Sequence, residues 1–212
     1  MALRSSGRQG SRPILTEPWI LDADTTIKPL YGHQEGAEVG YNPHKPGRPS
    51  HAYHSFAVAG VRLVLDGAVD AGNRHRAKHA GPPLWNLLGR LPRSHWPSLV
   101  RGDRDWGSEP TMASCEQRGV DYLFKLRMTR GVRQVVEKSM DGRWEDAGQG
   151  WSGREGRLRL SGWSRSRRVV LLRRRLPDDA VGPWCARPPM ARAICSGRSP
   201  EEARWSGSSP CW

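Results

Sequence analysis

Two short acidic motifs, about 80 residues apart, carry the residue types in this chain that are best suited to catalysis. Each is an apolar run that ends in Asp-x-Asp: Asp22 and Asp24 in the first, Asp103 and Asp105 in the second. Residues two apart on a strand share one face, and carboxylate oxygens are the ligands that Mg²⁺ prefers. Two such strand ends side by side would suit phosphoryl transfer assisted by two metal ions roughly 4 Å apart.

The hydrophobic periodicity around these motifs predicts the elements that position them. Strands are expected at 19–27, 51–59, 61–69, 98–102 and 121–125, and helices at about 82–91, 108–119 and 129–140. Three further strands are expected at 143–147, 156–161 and 168–175, whereas the Gly- and Pro-rich segment 29–49 reads as a loop or ribbon. This order predicts an α/β fold with a mixed sheet flanked by helices and a small β-rich extension.

The charge of the chain indicates a polyanionic partner. The net charge is +13, and the segment 151–175 holds nine Arg against a single acid, Glu155. Nucleic acid is the partner that such a surface favours. No apolar run approaches the roughly 18 residues of a membrane span, and the basic N-terminus lacks the apolar core of a signal peptide. A cytoplasmic protein without membrane contact is therefore expected.

Cysteine and histidine spacing does not predict a metal cluster. The four cysteines form no Cys-x-x-Cys pair, and the seven histidines, whose expected roles are at the surface or facing phosphate, show no convincing ligand pair. The last segment, 177–212, has six prolines and no strand or helix period, so it is predicted to be disordered.

Several of these segments resemble the DDE transposases of bacterial insertion sequences. The resemblance is carried by the run Leu21-Asp-Ala-Asp-Thr-Thr and by the loop Lys28-Pro-Leu-Tyr-Gly-His-Gln-Glu-Gly-Ala-Glu-Val-Gly-Tyr-Asn-Pro-His-Lys-Pro-Gly-Arg-Pro-Ser. Arg101-Gly-Asp-Arg-Asp-Trp-Gly and Tyr122-Leu-Phe-Lys-Leu fit the same family. The match covers roughly 18–176 and implies a ribonuclease-H-like core over 19–140, a β-rich insertion over 141–176, an irregular lead-in over 1–18 and a non-native tail over 177–212.

The resemblance also implies the site. The family's first acid is an Asp followed by a small residue and Thr, which matches Asp24, with Asp22 as the alternative on the same face. Its second acid ends the fourth strand, which matches Asp103, with Asp105 as the neighbour. Asp22, Asp24 and Asp103 would hold Mg²⁺ or Mn²⁺.

The third acid of the family is a Glu in a helix that reads Tyr-x-x-Arg-x-x-x-Glu, and no Tyr follows Tyr122 in this chain. Glu137, 34 residues after Asp103, either completes the triad or belongs to a charged helix face. The missing motif and the unpatterned tail lead us to expect a truncated or frameshifted copy that is catalytically incomplete.

The leading functional hypothesis is a bacterial, nucleoid-associated transposase that cleaves and transfers DNA strands at insertion-sequence ends and whose full-length relatives dimerise on DNA. The alternative is a non-catalytic nucleic-acid-binding protein in which the Asp pairs are structural. In both hypotheses the cations expected to contact duplex DNA are Lys45, Arg48, Arg165, Arg167, Arg168, Arg173, Arg174 and Arg175.

Overall fold

The computed structural model describes residues 15–32, 34–40, 46–61, 63–73, 81–174 and 190–196. The chain contains both helices and strands, which confirms the predicted mixed α/β class. The chain divides into two compact units, Met1–Asp103 and Arg104–Trp212. Among the described residues, no helix is both long and apolar enough to cross a lipid bilayer.

The first unit is built on a mixed sheet. Its elements in chain order are β1 (Ile20–Pro29), β2 (Glu38–Val39), β3 (Pro49–Val58), β4 (Leu63–Ala71), α1 (Gly81–Gly89) and β5 (Leu99–Gly102). Strand β3 pairs antiparallel with β1, β2 and β4, whereas β5 pairs parallel with the other edge of β1. An antiparallel β1–β3–β4 ribbon with a parallel fourth strand beside β1 is the predicted ribonuclease-H-like arrangement.

Strand β1 has one buried face and one open face because its apolar and polar residues alternate. Leu21, Ala23 and Thr25 are buried, whereas Asp24 and Thr26 are exposed. The buried face lies in a core to which β3 contributes its own alternate residues and α1 contributes its leucines: Phe56, Val58, Leu84, Leu87 and Leu88. The same alternation that forms this core directs the acidic residues of β1 to the opposite face.

The second unit consists of an antiparallel sheet with two helices. Its elements are α2 (Glu109–Gln117), β6 (Tyr122–Lys125), α3 (Arg130–Lys138), β7 (Glu145–Gly148), β8 (Trp151–Leu158), β9 (Arg167–Arg174) and β10 (Met190–Ser196). The strand order is β6-β10-β9-β8-β7. The largest fully buried side chains are aromatic: Trp106, Tyr122 and Phe124.

Helix α2 ends where the sequence predicts. Gly119 has a φ of +59°, a left-handed conformation that glycine adopts without steric cost at the position after a helix. The backbone N–H of Val120 then donates to the Cys115 carbonyl at 2.9 Å, which satisfies one of the last carbonyls of the helix. The chain can therefore turn directly into β6.

Two strand predictions need correction. Strand β10 lies inside the segment 177–212 that was predicted to contain no strand; it pairs with both β6 and β9, and such long-range partners are invisible to a periodicity search. Strand β8 begins at Trp151 instead of 156, because the glycine turn is confined to Gly148, Gln149 and Gly150, all with positive φ. The short β2 lies within the segment 29–49, which was predicted as a loop or ribbon. The remainder of 177–212 lies outside the described residues.

Candidate active site

The two acidic motifs lie on adjacent parallel strands. In the β1–β5 ladder, Ala23 is opposite Gly102. Asp24 and Asp103 each follow by one residue, and paired strands are about 4.8 Å apart. Both acids are therefore carried at the point where β5 ends, the edge at which open α/β sheets place their chemistry. The sequence-based prediction paired the same two residues.

Asp22, the alternative first acid, is held by an arginine of the neighbouring strand. Arg101 is opposite Asp22 in the ladder, and its Nε and Nη2 donate to the two carboxylate oxygens at 2.5 and 2.6 Å. A bidentate pair of this kind engages both oxygens in a fixed geometry. Because a metal ion would have to compete with the guanidinium, the geometry favours Asp24 over Asp22 as a ligand.

Asp24 lies on the exposed face of β1 and is oriented by a neighbour on the same face. The hydroxyl of Thr26 donates to Asp24 Oδ2 at 3.0 Å. Asp103 is half-buried just after the last residue of β5. Asp24 and Asp103 are therefore acids at the protein surface, within reach of a large polyanionic substrate.

A buried polar array lies beneath Asp24. The Thr25 hydroxyl is 3.0 Å from His54 Nδ1, and His54 Nε2 is 3.4 Å from Asp70 Oδ2. His54 is 1% exposed, so the expectation of a surface role for this histidine is wrong. The array links β1, β3 and β4 on the inner face and so holds the register of the strand that carries Asp24.

Asp105, the neighbour of the second acid, belongs to the second unit. Its side chain is only 4% exposed and pairs with Arg127 at 2.7 Å. A carboxylate that is buried and ion-paired is poorly placed to meet a substrate. Asp103, which is half-buried, is therefore the more accessible acid of this motif.

Glu137 lies on the exposed side of α3, between the buried Val136 and the exposed Lys138. Val132 and Val136 form the buried stripe of the helix. The position therefore agrees with the charged helix face that the sequence offered as one of its two interpretations.

Arg167, expected to contact DNA, is instead buried between two glutamates of α2. Its Nε donates to Glu116 at 2.7 Å, its Nη2 donates to Glu116 at 3.0 Å and to Glu109 at 3.1 Å, and its side chain is 2% exposed. Arg165 and Tyr122 also donate to Glu116. This placement corrects the DNA-binding assignment of Arg167, because a guanidinium with no exposed surface cannot reach a phosphate.

The charges of this network shift the pKa values of both glutamates downward. Burial by itself raises the pKa of Glu116, but hydrogen bonds from Arg167, Arg165 and Tyr122 outweigh it and lower the pKa to about 2. For Glu109, burial likewise raises the pKa. Hydrogen bonds from Arg167 and Ser164 outweigh this effect, so the pKa is lowered. Both carboxylates are therefore fully ionised at neutral pH and tie α2 to β9.

Two further arginines of the basic strands support the end of α3. Arg154 of β8 donates to the Ser139 carbonyl at 3.0 Å, and Arg173 of β9 donates to the Met140 carbonyl at 3.3 Å. Arg173 also lies over the Trp144 ring, 4.3 Å from its centroid. Cations at a helix C-terminus complement its dipole and its unsatisfied carbonyls.

The other predicted DNA contacts are distributed over both units. Arg168 is only 12% exposed and pairs with Glu155. Arg48 is exposed, with its guanidinium 4.6 Å from the centroid of the Tyr31 ring. Lys45, Arg175 and the side chain of Arg174 lie outside the described residues.

Comparison with known families identifies the family of this chain. A model of the transposase DDE domain, group 1, matches residues 14–181, a range that contains the expected 18–176. The chain belongs to this family. Among solved structures, piggyBac transposase in a synaptic complex with hairpin DNA is similar, with 12% identity and a TM-score of 0.49. The similarity covers 84% of this chain and 32% of that one. No curated protein matches the chain.

DDE transposases generally use divalent metal ions, and the donor set of this chain fits such an ion in part. Asp24 and Asp103 supply hard carboxylate oxygens of the kind Mg²⁺ and Mn²⁺ take. Within the ranges that the structure describes, no group of three or more His, Cys, Asp or Glu residues is close enough together to hold a metal. The described residues thus bring two carboxylates to adjacent strands, without a cluster of three potential metal ligands.

Sequence reasoning missed the residues that support the site. His54 could have been identified from the pattern of β3, where Ala52, His54, Phe56 and Val58 alternate on the buried face. The pairing of Arg101 with Asp22 has no local signal, because the two residues are 79 positions apart.

Proposed function

We propose that this DDE transposase-family chain acts in Mg²⁺- or Mn²⁺-dependent cleavage and transfer of DNA strands at the ends of a bacterial insertion sequence. The observation that carries the proposal is the parallel register of β1 and β5, in which Asp24 and Asp103 follow the paired residues Ala23 and Gly102. Acids on adjacent strand ends suit metal-assisted phosphoryl transfer.

Within this proposal, Asp24 and Asp103 would hold the metal, and the Thr26 hydroxyl orients Asp24 through its bond to Oδ2. A bound divalent ion supplies Lewis acidity toward the phosphate and activates a water or 3′-hydroxyl nucleophile. The Asp22–Arg101 pair joins β1 to β5 and so keeps the two acids aligned. The exposure of Asp24 admits a DNA backbone to the site.

We further propose that the chain by itself is catalytically incomplete. Two carboxylates can hold one ion, but two-metal phosphoryl transfer depends on fixed coordination of both. Glu137 lies on the exposed side of a helix. Among the described residues, it belongs to no group of three or more side chains that could hold a metal ion. The expected result is no strand cleavage or joining by the purified chain on DNA with the element's ends. Robust activity abolished by Glu137→Gln would make Glu137 the third acid.

The proposed partner is duplex DNA at the nucleoid, and full-length relatives would dimerise on it. The net charge of +13 supports this partner. With the buried Arg167 set aside, the proposed phosphate contacts are Lys45, Arg48, Arg165, Arg168, Arg173, Arg174 and Arg175. Of these, Arg48 and Arg165 are exposed in the part of the chain that the structure describes.

A second candidate function, non-catalytic nucleic-acid binding, is favoured by one observation: Asp22 is tied to Arg101, and the described residues include no group of three metal ligands. Metal binding separates the two functions. A catalytic domain binds Mn²⁺ through Asp24 and Asp103, whereas a simple binding protein does not need to.

The test is a Mn²⁺ titration followed by electron paramagnetic resonance. Asp24→Asn and Asp103→Asn should each weaken Mn²⁺ binding strongly, because each removes a charged ligand. Asp66→Asn is the matched control, since Asp66 is a half-buried carboxylate on β4 that pairs with Arg90. Equal Mn²⁺ affinity in all four proteins would reject the catalytic assignment and leave the binding function.

A further inference from the structure

Two aromatic rings, each covered on one side by a cation, lie at the end of the β1–β3 ladder. Lys28 Nζ is 5.7 Å from the centroid of the Tyr53 ring, and Arg48 Cζ is 4.6 Å from that of the Tyr31 ring. The Leu30 N–H donates to the Pro49 carbonyl at 2.9 Å, which continues the ladder by one pair and brings the segments of Tyr31 and Arg48 together.

These rings are accessible. Tyr31 is 67% exposed, Lys28 and Arg48 are exposed, and Tyr53 is half-buried. Exposed aromatic surface of this kind can mark a site where a ligand binds. A partly exposed ring beside a cation is a surface on which a flat, electron-rich ligand can stack.

The face of β1 that carries Asp24 leads toward these rings. Asp22, Asp24, Thr26 and Lys28 alternate onto one face of β1, and Tyr53 lies opposite Thr26 in the ladder. Lys28 is four residues from Asp24, about 14 Å at 3.4 Å per residue. This face of β1 therefore carries negative charge at one end and positive charge at the other.

We propose that Tyr31, Tyr53, Lys28 and Arg48 form a subsite for an unpaired stretch of DNA next to the proposed cleavage site. This subsite rests on the proposed function for its position relative to Asp24. A span of about 14 Å corresponds to about four stacked nucleotides at 3.4 Å each. The cations contact phosphates, and the rings stack on bases. The subsite takes single strands because base pairing hides the faces on which an aromatic ring stacks.

The experiment measures binding of the full chain to a fluorescent single strand and to the corresponding duplex, in EDTA so that no metal contributes. Tyr31→Ala and Tyr53→Ala should each weaken single-strand binding about tenfold and leave duplex binding unchanged. Tyr31→Phe and Tyr53→Phe keep the ring and should keep the affinity. Arg93→Ala is the matched control, because Arg93 covers the Trp96 ring at 3.9 Å elsewhere in the same unit.

Crosslinking gives a second readout. Irradiation of single strands that contain 5-iododeoxyuridine should attach them at Tyr31 or Tyr53, as identified by mass spectrometry. Because Tyr31 is largely exposed, Tyr31→Ala keeps the test valid even if Tyr53→Ala proves unstable. Unchanged single-strand affinity for Tyr31→Ala, an equal loss on duplex, or crosslinks confined to other residues would each overturn the subsite. Mn²⁺ binding through Asp24 is measured separately. If the subsite fails and Mn²⁺ binding persists, the proposed function is unaffected.

Discussion

Replacing Arg167 with methionine is expected to destabilise the second unit strongly at neutral pH. Arg167 is 2% exposed, and its guanidinium donates to Glu109 and to both oxygens of Glu116. Methionine has a similar length but no donors, so the two carboxylates lose their shared partner. Their side chains are only 22% and 15% exposed, and water cannot fully replace the lost hydrogen bonds.

The magnitude follows from two independent considerations. Removal of one partner from a buried ion pair costs about 3–5 kcal/mol. The fall in the pKa of Glu116 from 4.5 to about 2, to which Arg165 and Tyr122 also contribute, corresponds to about 3 kcal/mol in all at 1.36 kcal/mol per pH unit. For a chain of this size, at about 2–4 °C per kcal/mol, a loss of 3–5 kcal/mol lowers the melting temperature by roughly 6–20 °C.

The assay is thermal and urea unfolding of Arg167→Met, with Arg165→Met as the control. Arg165 donates to the same Glu116 carboxylate but is 58% exposed, so its loss should cost no more than about 1 kcal/mol. Adding Glu109→Gln and Glu116→Gln to Arg167→Met should recover part of the stability, because no carboxylate is then left unpaired. An Arg167→Met protein within about 1 kcal/mol of wild type would refute the structural role and return Arg167 to the candidate DNA contacts.

Three other outcomes are expected. Because the folded-state pKa of Glu116 is depressed, its contribution is present above pH 4.5 and declines as the pH falls toward about 2; urea unfolding should show that Glu116→Gln lacks this acid-dependent loss. Arg48→Gln should reduce the slope of log K against log[salt] for duplex DNA by about 1, whereas Arg118→Gln should not. The purified chain should show no strand transfer in a gel assay with Mg²⁺ or Mn²⁺, and joined products would contradict catalytic incompleteness.

The elements of the first unit could be read from the sequence to within a few residues. Strand β1 was expected at 19–27 and spans Ile20–Pro29, and β5 was expected at 98–102 and spans Leu99–Gly102. Alternation and turn residues are local signals, so they survive in any fold that buries one face. The same local logic placed Asp22 and Asp24 together on the open face of β1.

The two acids share one face of β1, so local alternation cannot distinguish them. The parallel pairing with β5 brings Arg101 opposite Asp22, and it places Ala23, which precedes Asp24, opposite Gly102, which precedes Asp103. Likewise, the sequence does not distinguish the neighbouring arginines from one another, yet the fold buries Arg167 against α2 and leaves Arg165 exposed.

The sequence by itself thus determined the acidic motifs, their faces and their strands, because side-chain alternation depends on neighbours two residues apart. Tertiary structure decided which carboxylate of β1 is paired with an arginine and which arginine is buried. It also decided that 190–196 forms a strand. Each of those outcomes depends on a partner far away in the chain, such as β9 and β6 for β10. The energy of a buried charge or of a strand inside a sheet is set by that partner, and local composition carries no record of it.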